Sequence, residues 1–216
     1  MKFRYCVLLS GVALLSGCGA KTPSNPSPSV PEATVSEQPS PAAAPATPSV
    51  PVGFDRQFEL NGIEFHVTSP NVAAGNTVNV APAGLEIDNS RFTWDADGAV
   101  TGAEVADLDA DGSPEIYVYV TSTDAAARGS VVAFSANKRK SLSSIYLPPM
   151  AETPAAQGYQ GHDEFAVVEG SLVRRFPIYT VEGAAASPTG KTRQLQYRLV
   201  PGEAGWLLVL DRTTDF

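Results

Sequence analysis

One supersecondary unit, residues 105–130, constrains the fold most, because it joins a turn, a strand and a loop. Residues 107–112 alternate Asp with other residues and end in Gly, a composition typical of a tight turn. Residues 116–121 are all β-branched or aromatic, which predicts a strand with one buried face and tyrosines on the other. Residues 122–129 show no hydrophobic periodicity. Loops held on a rigid scaffold commonly carry binding residues, so this loop is the first candidate site.

The sequence from residue 54 onward consists of short β-type segments separated by turns. Asn61-Gly62 and Glu169-Gly170 each lie between two such segments, and Asn-Gly in that position is the strongest short hairpin signal. About ten short strands and no long helical pattern predict an all-β fold, an antiparallel sandwich or barrel. We expect one domain over residues 54–216.

The first 17 residues predict a lipoprotein signal peptide. Lys2 and Arg4 precede an apolar run too short for the roughly 20 residues of a membrane-spanning helix. The sequence Leu-Ser-Gly-Cys ends at Cys18 and has the order of a lipoprotein cleavage site, which favours lipidation of Cys18 over an ordinary secretory signal. Gly19 follows, so outer-membrane attachment is favoured over inner-membrane retention. The predicted location is therefore the cell envelope, on the periplasmic side or at the cell surface.

Residues 18–53 form the predicted tether between this lipid anchor and the folded domain. They are rich in Pro, Ser and Ala and contain almost nothing to bury, so they cannot offset the entropy of ordering. We interpret them as a disordered, extended spacer, in preference to a proline-rich recognition segment.

The net charge and the number of cysteines restrict the classes of partner and cofactor that this chain is expected to bind. Removal of Lys2 and Arg4 with the signal peptide changes the formal net charge from −8 to −10. So acidic a chain is not expected to bind nucleic acid and favours a basic partner. The two cysteines are Cys6 and Cys18, so the folded part has neither a disulfide nor a thiolate zinc ligand, and no cofactor is predicted.

The aspartate-rich turn has two interpretations. Its D-x-D-x-D-G pattern matches the first half of an EF-hand calcium loop, but position twelve, which should be a bidentate Glu, is Val118. Ordinary turn chemistry is favoured, and a calcium site remains the weaker alternative. Its candidate ligands are Asp107, Asp109, Asp111 and Glu115.

No catalytic residue is predicted. The chain has two histidines, His66 and His162, and lacks a G-x-S-x-G sequence. His162 is followed by Asp163 and Glu164, which would suit an acid–base cluster but equally the polar start of a strand, and the second interpretation is favoured. The protein is therefore not expected to be an enzyme.

Several stretches, in order, resemble the bacterial periplasmic inhibitors of invertebrate-type (i-type) lysozyme: VADLDADGSPEIYV, KSLSSIYLPP, GYQGHDEFAVVEGSLVRRFPIY and PTGKTRQLQYRLVPGEAGW. The resemblance covers roughly residues 84–206. It implies a β-sandwich without enzymatic activity, which blocks lysozyme by placing a loop in the substrate cleft. A serine of that loop, and a tyrosine three residues later, approach the catalytic carboxylates.

The corresponding loop departs from this pattern. Aligned without gaps, the serine position is Ala125 and the tyrosine position is Arg128, so both hydroxyls are missing. Arg128 offers a replacement, because a guanidinium binds carboxylates bidentately, although a plain surface arginine is the other interpretation. The predicted lysozyme-contacting residues are Ser122, Thr123, Asp124, Ala125, Ala126, Ala127, Arg128 and Gly129.

We therefore expect a lipid-anchored inhibitor of lysozyme that protects peptidoglycan. Its partners would be a basic lysozyme and, through the lipid, the membrane. The alternative is an envelope binding module for glycan or another envelope protein, with inhibition lost. The class of lysozyme and the formation of a homodimer are left open by the sequence.

Overall fold

The computed structural model describes residues 53–72, 74–182, 185–203 and 205–216. All of them lie in the second of the two units into which the chain divides, Met1–Ala46 and Thr47–Phe216. The predicted signal peptide, Cys18 and the tether up to residue 52 lie outside the described residues. Within the described ranges, no helix has the length and apolar character needed to cross a membrane.

Strands dominate the described chain, and the predicted all-β fold is confirmed. Two short 3-10 turns, Met150–Glu152 and Pro154–Ala156, lie in the connection after the eighth strand. The strands are β1 (Phe54–Leu60), β2 (Ile63–Ser69), β3 (Asn76–Ala83), β4 (Phe92–Ala96), β5 (Ala99–Ala106), β6 (Glu115–Thr121), β7 (Gly129–Asn137), β8 (Ser141–Tyr146), β9 (Glu164–Val168), β10 (Ser171–Glu182), β11 (Ala185–Pro201) and β12 (Trp206–Asp215).

The strands form two packed sheets. The first has the order β1-β2-β3-β4, and the second has the order β5-β6-β7-β8-β12-β11-β10-β9. All neighbours are antiparallel except β8 and β12, which pair in parallel through Ile145 and Trp206. The second sheet curls towards a barrel, since the Glu104 carboxylate on β5 accepts a 3.1 Å hydrogen bond from the Val167 amide on β9, the opposite edge.

Strand β6 separates two hydrophobic cores. Its alternate residues Ile116, Val118 and Val120 pack between the two sheets, while Tyr117 and Tyr119 point into the curl of the second sheet. Both faces are therefore buried, so the tyrosine face is enclosed as well as the face that the sequence predicts to be buried. This packing fixes both ends of the strand, from which the aspartate-rich turn and the candidate loop extend.

The two predicted hairpins are present, and their geometry explains the sequence signal. Asn61 and Gly62 have φ of 53° and 73°, and Glu169 and Gly170 have φ of 48° and 71°, so each turn has two successive left-handed residues. Such turns match the twist of the strands they join. The strand residues on either side of each turn are register partners, Leu60 with Ile63 and Val168 with Ser171.

The last three strands have 12, 17 and 10 residues, so they are longer than the short strands that the sequence predicts. Strand β11 has 17 residues, and its first seven described positions are all exposed. With no face to bury, this part shows no apolar alternation, so hydrophobic pattern alone could not predict it. Its pairing with β10 also shifts register between Pro177 and Tyr179, which marks a β-bulge.

Candidate functional site

The loop after β6 is closed by hydrogen bonds of its own. The Ser122 amide donates to the Arg128 carbonyl (2.8 Å), and the Arg128 amide donates to the Ser122 hydroxyl oxygen (2.7 Å). The Ser122 hydroxyl in turn donates to Asp124 Oδ1 (2.7 Å), which also accepts from the Ala126 amide (3.2 Å). Short polar side chains thus cap the backbone, and the loop is preorganised before any partner arrives.

Arg128 is paired within the same loop. Its Nη1 lies 3.0 Å from Asp124 Oδ2, and the two side chains are 56% and 54% exposed. The hydrogen bond from Ser122, and then the charge of Arg128, hold the pKa of Asp124 below its ordinary value. Exposed pairs of this kind contribute little to stability because solvent screens them, so Arg128 can exchange Asp124 for another carboxylate at little cost.

The two positions that the family pattern singles out are both accessible. Ala125 and Arg128 are exposed, as are Thr123 and Asp124, whereas Ala126 and Ala127 are half-buried. The Ala126 carbonyl accepts a 2.8 Å hydrogen bond from the His162 amide. One side of the loop is therefore held by the chain, and the other side faces solvent.

Gly161 allows this close contact. Its φ is +100°, and a Cβ there would overlap the carbonyl oxygen of Ala126. Gly129, at the base of the loop, has a similar restriction, because a Cβ would lie 2.6 Å from the Cβ of Asp163. The loop is thus packed against residues 161–165, by backbone contact at Gly161 and by contact with side chains at Gly129.

A buried ion pair fixes the base of the loop. Asp163 and Arg174 have side chains 0% and 4% exposed, with Arg174 Nε 2.7 Å from Asp163 Oδ1. Asp163 Oδ2 accepts hydrogen bonds from the Gly129 amide (2.7 Å) and the Tyr159 hydroxyl (2.5 Å). Arg174 Nη2 donates to the Gly129 carbonyl (3.3 Å) and the Tyr159 hydroxyl (3.0 Å). Both polar groups of Gly129 are therefore held by one charged pair.

The electrostatics of this pair are mutually reinforcing. Burial alone would lower the pKa of Arg174, but the hydrogen bond and charge of Asp163 outweigh burial and raise it. Burial and the hydrogen bond to Asp163 raise the pKa of Tyr159 to about 12. The guanidinium also lies 5.1 Å from the Tyr159 ring centroid and 5.3 Å from that of Phe165. Arg174 therefore stays charged and Tyr159 stays a hydrogen-bond donor at neutral pH.

Neither Arg174 nor Tyr159 is among the site residues predicted from the sequence. A signal was present, because Arg174 lies between Leu172 and Phe176 at an inward position of an alternating strand. An arginine on a buried face requires a carboxylate partner, and Asp163, directly before β9, is a candidate for that partner.

The histidines do not assemble an acid–base cluster among the described residues. His66 Nε2 lies 2.7 Å from Asp55 Oδ1 at the surface of the first sheet. His162 is exposed with a φ of 60°, and no hydrogen bond joins its ring to Asp163 or Glu164 within the described ranges. The Asp163 carboxylate is already engaged by Gly129, Tyr159 and Arg174. Strand β9 begins at Glu164, as the polar-start interpretation predicts.

The carboxylates of the aspartate-rich turn bind backbone amides. Asp107 accepts hydrogen bonds from the amides of Asp111 (3.1 Å) and Gly112 (2.9 Å), and Asp111 accepts one from the Ser113 amide (2.7 Å). These are the bonds that ordinary turn chemistry requires. Oxygens of Asp107, Asp109 and Glu115 nevertheless lie within 4.8 Å of one another, while Asp111 does not join that group.

Glu115 is the buried member of this group. It accepts hydrogen bonds from the Leu108 amide (2.9 Å) and the Ser135 hydroxyl (3.2 Å). Burial, followed by the negative charges of Asp109 and Asp107, raises the pKa of Glu115 to about 8. A cation at this position would have to displace a proton, because carboxylate ligands bind metals in their deprotonated form.

Comparisons of this chain with protein-family models, with curated proteins and with solved structures found no match. Functional inference therefore depends on the chemistry of the loop, its buried support and the sequence resemblance. Of these, the loop residues 122–129 combine accessibility with a fixed backbone, which are the two properties a docking element needs.

Proposed function

We propose that this protein is an envelope-anchored inhibitor of i-type lysozyme, in which the loop 122–129 occupies the substrate cleft of the enzyme. The proposal rests on the rigidity of this loop. Ser122 and Asp124 cap the loop internally, and the Asp163–Arg174 ion pair holds its base. A rigid loop loses little conformational entropy on binding, and preorganisation of this kind raises affinity. The resemblance to the inhibitor family supplies the partner class.

Arg128 would replace the missing hydroxyls. Glycosidases cleave with a pair of carboxyl groups, and a guanidinium pairs with a carboxylate through two parallel hydrogen bonds. On docking, Arg128 would exchange Asp124 for a catalytic carboxylate of the lysozyme, so that substrate is excluded and no bond is made or broken. The acidic character of the chain would accelerate association with a basic enzyme in a salt-dependent manner.

The anchor would place this activity in the envelope. Cys18 would carry the lipid, and the thirty residues 22–51 of the tether would allow the domain to stand off the membrane by up to about 90 Å at roughly 3.1 Å per residue. The inhibitor would then intercept lysozyme close to the peptidoglycan that it protects.

An inhibition assay tests the proposal. The purified protein is titrated into cell-wall lysis reactions with i-type, chicken-type and goose-type lysozymes, at low and high salt. We expect inhibition of the i-type enzyme, weaker at high salt because of screening. Arg128→Ala should reduce potency at least about ten-fold, equivalent to about 1.4 kcal/mol of binding energy.

Arg212→Ala provides the matched control, because Arg212 is also an exposed arginine but lies on β12. It should inhibit like the unaltered protein. Equal potency of the Arg128 and Arg212 variants would exclude the arginine mechanism, and absence of inhibition across the panel would exclude the inhibitor function.

A further inference from the structure

A cleft of about 590 Å³ lies beside the base of the loop. Residues 128–131 line it together with residues 147–151 and parts of the segment 156–160, and Arg174 completes the lining. Small-molecule sites typically have volumes of about 300–1,000 Å³. The cleft is therefore large enough for a ligand of a few residues or a small organic molecule.

The charged residues that line the cleft are both arginines. Arg174 is almost fully buried, whereas Arg128 is 56% exposed. Their carboxylate partners, Asp163 and Asp124, are not among the lining residues, and Asp163 lines a different pocket next to Glu164. No carboxylate is among the described lining residues, so the charged groups that a ligand would meet are guanidinium groups, which favours an anionic ligand.

The rest of the lining is mainly apolar. Val131, Leu147 and Met150, together with Pro148 and Pro149, are its larger apolar side chains, and Gln160 contributes a side-chain amide. Apolar walls with a few placed polar groups are typical of binding pockets. A ligand that fits would have an apolar body, an amide-like group and a carboxylate.

A carbohydrate fits this lining less well than a peptide. The aromatic residue in the cleft is Tyr159, whose ring already packs edge-on against Phe176, with centroids 4.9 Å apart, and below Arg174. Its hydroxyl is also engaged, since it donates to Asp163. Tyr159 is thus poorly placed to stack on a sugar ring.

We infer that this cleft binds the C-terminal end of a short peptide with an apolar last side chain. The terminal carboxylate pairs with the arginines, the apolar side chain packs against Leu147 and Met150, and Gln160 bonds a peptide group. Capture of a C-terminal carboxylate is an established mode of peptide recognition. The inference does not depend on lysozyme inhibition and gives the domain a separate envelope ligand.

The test is a titration of the purified protein with N-acetyl-alanyl-leucine, followed by calorimetry and by backbone amide NMR shifts. The matched ligand is the C-terminal amide of the same peptide, which differs only in lacking the charge. We expect the acid to bind at least about ten-fold more tightly, because hydrogen bonds between charged groups are stronger than those of the uncharged amide. The shifts should cluster at residues 128–131, 147–151 and 159–160.

A variant pair tests the location. Pro149→Asp places a carboxylate on the exposed wall of the cleft and should weaken binding of the acid about ten-fold, because like charges repel. Ser187→Asp adds the same charge at an exposed position of β11 and should leave binding unchanged. Neither change removes a buried contact, so both variants should fold.

Equal affinity for the acid and the amide would overturn the inference, as would tighter binding of glucuronic acid than of the peptide. Unchanged affinity in the Pro149 variant would also overturn it. Because no lysozyme is present in these measurements, their failure leaves the inhibition assay unaffected, and failure of the inhibition assay leaves them unaffected.

Discussion

The two ends of β6 both have a capped turn and a buried carboxylate, but the carboxylate is stabilised differently at each end. At both ends, short polar side chains bind the amides of a tight turn, with Asp107 before the strand and Ser122 and Asp124 after it. Each end also has a buried carboxylate. Glu115 is bonded by an amide and a hydroxyl, whereas Asp163 is bonded by the guanidinium of Arg174.

The difference teaches which end can serve as a docking element. A buried carboxylate without a cation takes up a proton, and burial accordingly raises the pKa of Glu115 to about 8. A buried carboxylate with a guanidinium remains an ion pair with fixed geometry. The turn end is therefore sensitive to pH, and the loop end is instead sensitive to the loss of either partner.

Replacement of Arg174 should have the largest effect on stability. Arg174→Met keeps most of the side-chain volume but leaves Asp163 buried without its cation, which costs about 3–5 kcal/mol. Urea unfolding at neutral pH measures the change. The loop should also loosen, because the Gly129 carbonyl and the Tyr159 hydroxyl each lose a donor.

A double variant separates charge from packing. Asp163→Asn combined with Arg174→Met removes both charges, so it should be more stable than Arg174→Met alone. A loss below about 1 kcal/mol for Arg174→Met would mean that the pair does not support the loop, and the contrast between the two ends would then fail.

Gly161→Ala should be next in size. The new Cβ would overlap the Ala126 carbonyl, and the φ of +100° is unfavourable for alanine, so the loop must move away from His162. We expect a loss of about 2–3 kcal/mol and increased hydrogen exchange at the His162 amide, which donates to that carbonyl.

Gly170→Ala is the matched control for this prediction. Its φ is +71°, but nothing lies within 4 Å of the added Cβ, so it should cost only the backbone term of about 1 kcal/mol. Equal losses in the two variants would show that contact with the loop contributes nothing at Gly161.

At the turn end, the expected change is a dependence of stability on pH. Glu115 has its pKa raised from 4.5 to about 8 in the folded state, so the folded protein holds a proton that the unfolded chain has released. Its contribution is complete below about pH 4.5 and is lost as pH rises to about 8, with a slope of at most about 1.4 kcal/mol per pH unit.

Glu115→Gln tests this dependence, because the amide resembles the protonated acid and does not titrate. The free energy of unfolding, measured by urea titration across that interval, should fall with pH in the unaltered protein and be nearly flat in the variant. Parallel pH profiles would assign the dependence to other groups. Calcium added at pH 8 should have no effect on either protein if the turn is only a turn, whereas stabilisation of the unaltered protein alone would indicate a cation site.

The parts of this fold that sequence predicts are those with local causes. The hairpin at Asn61-Gly62 depends on two adjacent residues with positive φ, and β6 depends on six successive residues suited to a pleated, buried surface. Both causes can be read within a short window of the chain. The all-β class follows from their repetition.

The parts that were not predicted have causes distant in sequence. Strand β8 pairs in parallel with β12 across a connection that contains β9, β10 and β11, and no local pattern encodes that choice. The loop was located by its lack of periodicity, but its support was not, because Gly129 meets Asp163 from 34 positions away. The cleft beside it is likewise assembled from three separate segments and Arg174.

The smallest expected effect is that of Arg128→Ala on stability. Its pair with Asp124 is exposed on both sides, so breaking it should leave the free energy of unfolding nearly unchanged. The same substitution should reduce lysozyme inhibition about ten-fold, because in the complex the guanidinium pairs with a carboxylate away from water. A matched pair of urea unfolding and inhibition curves measures both quantities. A large loss of stability would assign Arg128 a structural role like that of Arg174, and the distinction between the exposed arginine that acts and the buried arginine that supports it would no longer hold.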